Sequence, residues 1–520
     1  METTARDPES FRIATQTGAP RIAIIGSGFS GLSLGIHLRK EGIRSFRIYE
    51  KASRVGGTWR ENTYPGCACD VASFAYCFSF EQKTDWSRKW SPQGEILQYM
   101  EHCVDRYGLS EHLRFDSEIA GARYDEAAHV WHVRAASGEE FVADVVVSCV
   151  GQLHRPHIPD IEGLDAFQGK VFHSARWDHQ HDLAGKQVAV VGNAASAIQF
   201  VPHVARQAAR LHVFQRSANW MMPRGDRAYT PAEKERFRRY PWLARAYRWW
   251  IWFAHELWFP IFRRNAFLSG QWERGAVKYL ESVVQDPALR QALTPDYPIG
   301  AKRILISDDY FQALTRPNVE LIRDGVARLN ANSIVTRSGR EIPIDTLILA
   351  TGFRTTEFLV PMQIEGCGGR SLHDAWSDGA RAYYGMTVSG FPNFFMMYGP
   401  NTNLGHNSII FMIECQTTYI MDLLRKMRSQ NIAAVDLRPE VMEAYNRRLQ
   451  ERLSRTAWAA VDKSWYKDSA GHITNNWSGT TTTYWWHTRQ ANLSDYRTTA
   501  RTAIAKPATA ADAESSRAAA

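Results

Sequence analysis

Two short glycine-rich segments carry residue types that bind phosphate through the main chain. Gly26-Ser27-Gly28-Phe29-Ser30-Gly31 follows the apolar run 22–25, and Gly192-Asn193-Ala194-Ala195-Ser196-Ala197 follows the apolar run 188–191. A glycine turn between a strand and a helix lets the backbone approach a pyrophosphate, which then faces the free N–H groups of the helix. We therefore expect each segment to bind one dinucleotide.

The residues that end the next strands carry opposite charges. Glu50 lies 19 residues after Gly31, and Arg216 lies 19 residues after Ala197. A carboxylate at this position accepts hydrogen bonds from a ribose diol, whereas a guanidinium suits a 2′-phosphate. The pair predicts FAD at the first turn and NADPH at the second, which indicates flavin-mediated electron transfer.

The second turn departs from the glycine pattern at its middle position. Ala194 stands where the second glycine is expected, and its methyl group would crowd a pyrophosphate. We expect NADPH to bind through a slightly displaced turn or less tightly.

Two strand–turn–helix units of this kind predict an α/β fold. The fold class is two Rossmann-like dinucleotide-binding domains (FAD and NADP) with a helical insertion in the NADP domain. The predicted boundaries are 1–20 for a loose N-terminal leader, 21–155 for the first part of the FAD domain, 156–223 and 298–345 for the NADP domain, 224–297 for the helical insertion, 346–500 for the second part of the FAD domain and 501–520 for a disordered tail.

Composition limits the class of protein. The 520 residues are 44% hydrophobic and 22% charged, which is typical of a globular protein with two to four domains. The net charge of +8 comes without a nucleic-acid motif, so we interpret it as a solvated basic face; a membrane surface or a polyanion site is the alternative. Seven scattered cysteines without a C-x-x-C pair and a polar N-terminus without a signal peptide predict reduced thiols and a cytoplasmic location.

An aromatic run at 249–262 (WWIWFAHELWFPIF) is the part of the sequence that most resembles a membrane segment. It is too short to span a bilayer and contains His255, Glu256 and Pro260. We favour an inserted helical piece packed on the body of the protein, and a helix lying on a membrane surface is the alternative.

Two long motifs accompany the two glycine turns. F-x-G-x-x-x-H-x-x-x-W-[PD] is matched by Phe167, Gly169, His173, Trp177 and Asp178. [AG]-G-x-W-x-x-x-x-[FY]-P-[GM]-x-x-x-D is matched from Gly56 and Gly57 through Trp59 and Tyr64 to Asp70. With these motifs the chain resembles the Baeyer–Villiger monooxygenases over residues 21–496. Within that resemblance, Trp177 followed by Asp178 favours the ketone-oxidising branch over relatives that oxygenate sulfur or nitrogen.

The resemblance implies a reaction in which NADPH reduces FAD, the flavin captures O₂ as a flavin peroxide, and the peroxide converts a ketone to an ester or lactone. It implies Arg303, in the Lys302-Arg303 pair, as the group that stabilises the peroxide anion, with Asp70 holding Arg303 in place. An arginine suits this role because it donates hydrogen bonds and stays charged. Lys302 with Arg216 would bind the 2′-phosphate, for which a solvated lysine is the alternative.

The resemblance also assigns roles beyond the reacting centre. His173 and its motif would couple domain rotation to catalysis, without acting as an acid or base. The segment around Trp485 would fold over NADPH, although a packed aromatic cluster is a close alternative. Together with the glycine turns, the expected cofactor-binding residues are Glu50, Lys51, Gly57, Thr58, Trp59, Tyr64, Asp70, Tyr76, Arg216, Lys302, Arg303 and Trp485.

Other functions stay open at this point. The expected partners are a small ketone and O₂, with no nucleic acid, no transmembrane segment and no metal, and the oligomeric state is monomer or dimer. The nearest alternative is a flavin-dependent S- or N-oxygenase. A flavin reductase without oxygenation is less favoured, because the sequence has no redox cysteine pair.

Overall fold

The computed structural model describes residues 19–264, 267–462 and 464–501. Most of the predicted leader and all but one residue of the predicted tail lie outside the described residues. Within them, the strands are β1 (Ile22–Ile25), β2 (Phe46–Tyr49), β3 (Leu113–Arg114), β4 (Ile119–Asp125), β5 (Val130–Ala135), β6 (Glu140–Ala143), β7 (Val145–Ser148), β8 (Lys170–His173), β9 (Gln187–Val191), β10 (Arg210–Phe214), β11 (Met221–Met222), β12 (Leu305–Ile306), β13 (Val319–Ile322), β14 (Val326–Asn330), β15 (Ser333–Thr336), β16 (Glu341–Pro343), β17 (Thr346–Leu349), β18 (Gln363–Glu365), β19 (Phe394–Met396), β20 (Ile432–Leu437) and β21 (Tyr496–Ala500).

The α-helices of the described residues alternate with these strands in the two predicted dinucleotide units. They are α1 (Phe29–Lys40), α2 (Thr58–Glu61), α3 (Gln93–Arg106), α4 (Ala197–Gln207), α5 (Pro231–Arg239), α6 (Pro241–Glu256), α7 (Phe267–Val283), α8 (Pro287–Leu293), α9 (Tyr310–Leu314), α10 (Leu372–Ala375), α11 (Ile409–Ser429), α12 (Pro439–Leu453) and α13 (Thr481–Thr488).

Two parallel five-stranded sheets form the framework. The first has the order β19-β7-β1-β2-β3 and the second the order β13-β10-β9-β17-β8. Every pairing in both sheets is parallel, for example Ile22 with Phe46 in the first and Val188 with Leu211 in the second. Because parallel sheets of this kind are covered by helices, β1, β2 and β7 are buried at all four positions. The predicted fold class of two Rossmann-like units is confirmed.

Each sheet is assembled from distant parts of the chain. β19 joins the first sheet from residues 394–396, and β13 and β17 join the second from beyond residue 318. Between β10 and β12 the chain forms α5, α6, α7 and α8, in the stretch where the sequence predicts a helical insertion. The domain boundaries themselves stay a prediction.

Two connections between the sheets run side by side. Residues 150–157 leave the first sheet after β7, and residues 350–354 return from β17. His157 N donates to Gly352 O at 2.8 Å, and Arg354 N donates to Arg155 O at 3.0 Å. A bridge between Pro156 and Phe353 completes the pair. The two dinucleotide units are therefore joined by a double connection.

Candidate active site and cofactor sites

In the first glycine turn, the first and last glycines have no room for a side chain, whereas the middle glycine faces open space. A Cβ at Gly26 (φ +102°) would lie 2.7 Å from the carbonyl oxygen of Cys149, and a Cβ at Gly31 would lie 2.0 Å from the carbonyl oxygen of Gly26. A Cβ at Gly28 would meet nothing within 4 Å. Gly28 precedes α1, whose first N–H groups have no side-chain cap. The turn thus leaves space and free donors where a phosphate binds.

Glu50 lies directly against this turn. It follows β2 and is 4% exposed. One carboxylate oxygen accepts hydrogen bonds from Ser27 N (3.1 Å) and Ser27 Oγ (2.7 Å), and the other accepts one from Ala52 N at 3.1 Å. Arg60 Nη1 lies 3.0 Å from the second oxygen. These contacts hold the Glu50 carboxylate at the carboxyl end of β2, where a ribose is expected.

A cavity opens above the carboxyl ends of β1, β2 and β7. The predicted residues that line it are Gly26, Gly28, Phe29, Ser30, Glu50, Lys51, Gly57, Thr58, Trp59 and Tyr76. Gly31, Tyr64 and Asp70 are not among its lining residues. Ligands of open α/β sheets bind at this edge, so ten of the residues predicted to bind FAD lie where such a ligand is expected.

Sequence reasoning missed several residues of this cavity, including Arg60, Gln152, His154 and Tyr398. Gln152 Oε1 and His154 Nδ1 are buried and have no hydrogen-bond partner among the described residues. Such atoms are unusual unless a ligand or water pairs with them, so the donor set fits a polar cofactor such as FAD. Both residues come shortly after β7, and the carboxyl-edge rule could have found them.

The second glycine turn has the same framework with fewer glycines. A Cβ at Gly192 (φ +111°) would lie 2.3 Å from Ala350 O. Asn193 Nδ2 donates to Gln215 Oε1 and to Ser217 O, both at 2.9 Å. Ala194 is exposed, and Ser196 precedes α4 without capping it through its side chain. Here too the first N–H groups of the helix have no side-chain cap, which fits a pyrophosphate.

Two cations lie beside this turn. Arg216 is exposed and follows β10 by two residues. Lys302 Nζ donates to Ser217 Oγ at 3.0 Å and lies 4.3 Å from the ring centre of Tyr297. Burial lowers the pKa of Lys302, and the nearby charge of Arg216 lowers it further. Two neighbouring like charges are stabilised by an anion between them, so this arrangement fits a phosphate.

The motif 56–70 runs from the first site toward the second. Its start lines the cavity, where Trp59 Nε1 donates to Tyr76 Oη at 3.2 Å. In its middle, Tyr64 Oη donates to Gln199 Oε1 of α4 at 3.1 Å, and Ala68 exchanges hydrogen bonds with the same side chain. At its end stands Asp70. The segment therefore connects the two dinucleotide units.

Asp70 and Arg303 form an ion pair across 233 residues of sequence. Arg303 Nε donates to Asp70 Oδ2 at 2.9 Å, and Arg303 Nη2 donates to the same oxygen. The side chains are 30% and 31% exposed. The charge of Asp70 raises the pKa of Arg303, which remains a cation at any working pH.

The pair adjoins the cavity through two tyrosines. Tyr76 and Tyr398 line the cavity. Burial raises the pKa of Tyr398, and the charge of Arg303 opposes that rise. Tyr466, fully buried, has a hydroxyl without a hydrogen-bond partner among the described residues and is also within electrostatic reach of Arg303. Arg303 is thus a positive charge within electrostatic reach of Tyr398, which lines the cavity where FAD is predicted to bind.

The motif 167–178 lies at the junction of the units. Gly169 is required by space, since a Cβ there would lie 2.4 Å from the ring of Phe167. Trp177 packs on Phe200 of α4 with ring centres 5.1 Å apart, and Asp178 pairs with Lys170 at 2.6 Å.

His173 ends β8 beside the double connection. Its ring centre lies 5.9 Å from that of Phe353, and its Nδ1 accepts a hydrogen bond from Ala175 N at 3.1 Å. Burial lowers its pKa to about 4. The imidazole is therefore neutral at physiological pH.

Trp485 lies on helix α13 rather than in a loop. Its side chain is 45% exposed and contacts Trp486. Helix α13 packs along α11, and the hydrogen bonds of Tyr484 go to Tyr384 O and Gln416. No contact between Trp485 and the second glycine turn is found among the described residues.

Membrane-spanning helices and metal centres are two further classes of site with a recognisable structure. In residues 19–264, 267–462 and 464–501, no helix combines the length and the apolar character needed to cross a membrane. In the same part of the chain, no three His, Cys, Asp or Glu side chains are grouped as metal ligands would be.

Comparison with known proteins agrees with this geometry. Residues 19–244 match the flavin-binding monooxygenase-like family. A Baeyer–Villiger monooxygenase of Streptomyces coelicolor is 44% identical over 92% of this chain and 92% of its own length. Crystal structures of OTEMO with FAD and NADP (TM-score 0.83, 26% identity, 92% and 100% coverage) and of closed cyclohexanone monooxygenase (TM-score 0.83, 25% identity, 93% and 99% coverage) have the same fold.

The two dinucleotide units and the joining motifs define a flavin-dependent monooxygenase that uses FAD and NADPH. Within that class, the chain belongs to the Baeyer–Villiger monooxygenase family.

Proposed function

We propose that this enzyme catalyses a Baeyer–Villiger oxidation, inserting one atom of O₂ next to a ketone carbonyl to give an ester or lactone through a flavin peroxide. The observation that carries the proposal is the Asp70–Arg303 ion pair, which lies within electrostatic reach of Tyr398, a residue that lines the cavity predicted to hold FAD. Cyclohexanone monooxygenase, by its name, acts on a ketone, and this substrate class is extended here to the chain.

In the proposed reaction Arg303 stabilises negative charge on the reacting oxygen. Its guanidinium donates hydrogen bonds but gives up no proton, because Asp70 raises its already high pKa. A fixed donor aimed at developing charge needs no reorganisation during the reaction. Asp70 is a positioning residue, since both of its hydrogen bonds from Arg303 converge on one oxygen.

The proposed cofactor contacts follow from the two turns. The first turn and the N-terminus of α1 bind the pyrophosphate of FAD, and Glu50 accepts hydrogen bonds from its ribose. The second turn and α4 bind the pyrophosphate of NADPH, and Arg216 with Lys302 bind the 2′-phosphate. The hydrogen bond from Lys302 to Ser217, the residue that follows Arg216, and the electrostatic influence of Arg216 on Lys302 support this assignment.

His173 is proposed to couple movement of the two units. Its position beside the paired connections 150–157 and 350–354 supports this role, because any rotation of the units bends those connections. The lowered pKa of His173 supports a packing role over proton transfer. Trp485 is proposed to cover bound NADPH. This role would require α13 to move toward the second glycine turn.

The test is Arg303→Ala in the FAD-loaded enzyme, with anaerobic flavin reduction by NADPH and product formation measured separately. Flavin reduction is expected to continue while ester formation from a ketone disappears. Arg224→Ala is the matched control, because Arg224 is a neighbouring arginine that donates to Cys69 O at 3.0 Å. Retained ester formation in the Arg303 variant would refute the assignment.

A ketone panel with linear, cyclic, aryl and steroid members, run beside a sulfide and an amine, distinguishes the neighbouring reaction types. The expected product from a ketone has the mass of one added oxygen. Oxidation of the sulfide or amine alone would replace the proposal with S- or N-oxygenation.

A further inference from the structure

The exposed face of helix α6 is more apolar than its buried face. Trp242, Trp249, Trp250 and Phe253 are each more than half exposed. They recur at helical spacing on one side, and Leu257, which follows the helix, continues the row at 58% exposure. We call these five residues the tryptophan face.

The opposite side of α6 carries the polar groups. Arg248 is 8% exposed and donates to Phe74 O at 3.1 Å and to Cys77 O at 2.7 Å. His255 is 9% exposed and packs on Trp258. A surface helix ordinarily has the reverse pattern. Contiguous exposed apolar surface of this kind marks an interaction site.

Exposed arginines flank the tryptophan face along the sequence. The exposed arginines of the segment are Arg238, Arg239, Arg245, Arg263 and Arg264. The one carboxylate in residues 238–264, Glu256, accepts hydrogen bonds from the N–H and hydroxyl groups of Thr481 and Thr482. Arg238 is partly offset by Glu235 at 2.8 Å. The surface therefore complements an anionic partner.

We propose that the tryptophan face docks on a membrane surface that contains anionic phospholipids. Tryptophan rings favour the headgroup level of a bilayer, and arginines are attracted to anionic headgroups. A second copy of the chain fits less well, because a twofold contact would bring the arginines of both copies together.

The length of α6 agrees with a helix that lies on the membrane. Its 16 residues extend about 24 Å at 1.5 Å per residue, less than the roughly 30 Å of the hydrocarbon core. Arg245 on the same helix would remain at headgroup level. The proposal is independent of the substrate of the enzyme.

The test is co-sedimentation of the FAD-loaded enzyme with vesicles of phosphatidylcholine alone or with phosphatidylglycerol in equal parts. Binding to the anionic vesicles is expected, and salt should weaken it because it screens the arginines. Trp249→Ser with Trp250→Ser should lower the partition coefficient by about tenfold or more, since two large apolar groups no longer leave water. Phe115→Ser is the matched control, because Phe115 is an exposed aromatic residue (37% exposed) that directly follows β3 and is not part of the tryptophan face. This variant should bind vesicles like the parent enzyme.

A second arm tests charge. Arg239→Gln with Arg245→Gln should bind less to anionic vesicles, whereas Arg123→Gln with Arg134→Gln, exposed on strands β4 and β5, should not change binding. NADPH oxidation checks that each variant is folded. Failure of the parent to sediment, or equal sedimentation of the Trp249/Trp250 variant, overturns the proposal. So does a dimer in analytical ultracentrifugation that the same variant dissociates, because the face would then be a contact between copies.

Discussion

Replacing Asp70 by Asn tests the contact between the two sites most directly. The substitution removes one negative charge and keeps the size of the side chain. Arg303 Nε and Nη2 both donate to Asp70 Oδ2, so both hydrogen bonds lose their charge assistance at once. Arg303 is then free to turn away from the cavity edge.

The expected effect follows from the burial of the pair. A solvent-exposed ion pair contributes about 0.2–1 kcal/mol, and breaking a buried one costs about 3–5 kcal/mol. The two side chains are 30% and 31% exposed, which places this pair between those limits. About 2 kcal/mol corresponds to a loss of roughly 30-fold in kcat/KM for product formation.

The assay compares product formation with anaerobic flavin reduction in Asp70→Asn. The kcat/KM for product formation should fall by roughly 30-fold, while the rate of flavin reduction changes by less than about threefold. Asp85→Asn is the control, because Asp85 pairs with Lys83 at 2.5 Å but is 64% exposed; it should behave like the parent. A fall of less than about threefold in product formation would refute the reasoning, since that is the scale of an exposed pair. An equal fall in the rate of flavin reduction would indicate that Asp70 contributes to cofactor binding rather than to the positioning of Arg303.

The remaining predictions concern NADPH and pH. Arg216→Ala should raise the KM for NADPH by about tenfold or more, because a charge-assisted hydrogen bond is lost, with little change for NADH; Arg210→Ala, at the other end of β10, is the control, and an unchanged NADPH preference would contradict the role. Ala194→Gly should lower the KM for NADPH, and a raised KM would show that the methyl group does not obstruct binding. Burial, and to a lesser extent the nearby His406, lowers the pKa of His255 to about 4 in the folded chain. In the unfolded chain His255 is protonated below about pH 6.5, whereas in the folded chain it stays neutral down to about pH 4. Stability is therefore fully present above about pH 6.5 and falls toward pH 4. His255→Gln should reduce that fall in thermal denaturation, and an identical pH profile would exclude His255 as a cause.

Local patterns predicted the elements that bind nucleotides. The alternation of apolar runs with glycine turns gave β1, β9, α1 and α4, because tight turns and buried parallel strands have strong residue requirements. Glu50 and Arg216 follow from the same rule, since the carboxyl ends of neighbouring parallel strands meet at one edge.

Contacts between residues far apart in the sequence could be identified only from the folded structure or from the family resemblance. Spacing alone gives no reason for Asp70 to contact Arg303, and only the family resemblance linked them. Gln152 and His154 belong to no motif; the carboxyl-edge rule could have placed them near the cavity, and the structure adds that each has a buried polar atom without a hydrogen-bond partner among the described residues. In the aromatic run 249–262 the sequence shows that the segment is hydrophobic, but it does not show which side chains face solvent. The structure turns Trp249 and Trp250 outward because Arg248 and Ile251 occupy the face that packs on the body.

We expect binding at the second nucleotide site to depend on charge more than binding at the first. Ala194 is exposed and does not adopt a positive φ, so its backbone is compatible with alanine and the methyl group faces the space above the turn. Asn193 fixes the turn to Gln215 and Ser217, and Ser217 in turn accepts a hydrogen bond from Lys302. The turn and the phosphate-binding cations are thus parts of one hydrogen-bonded unit. NADPH whose pyrophosphate is displaced by the methyl group of Ala194 would still be held through its 2′-phosphate, so Arg216 and Lys302 should contribute a larger share of NADPH affinity here than they would beside a glycine.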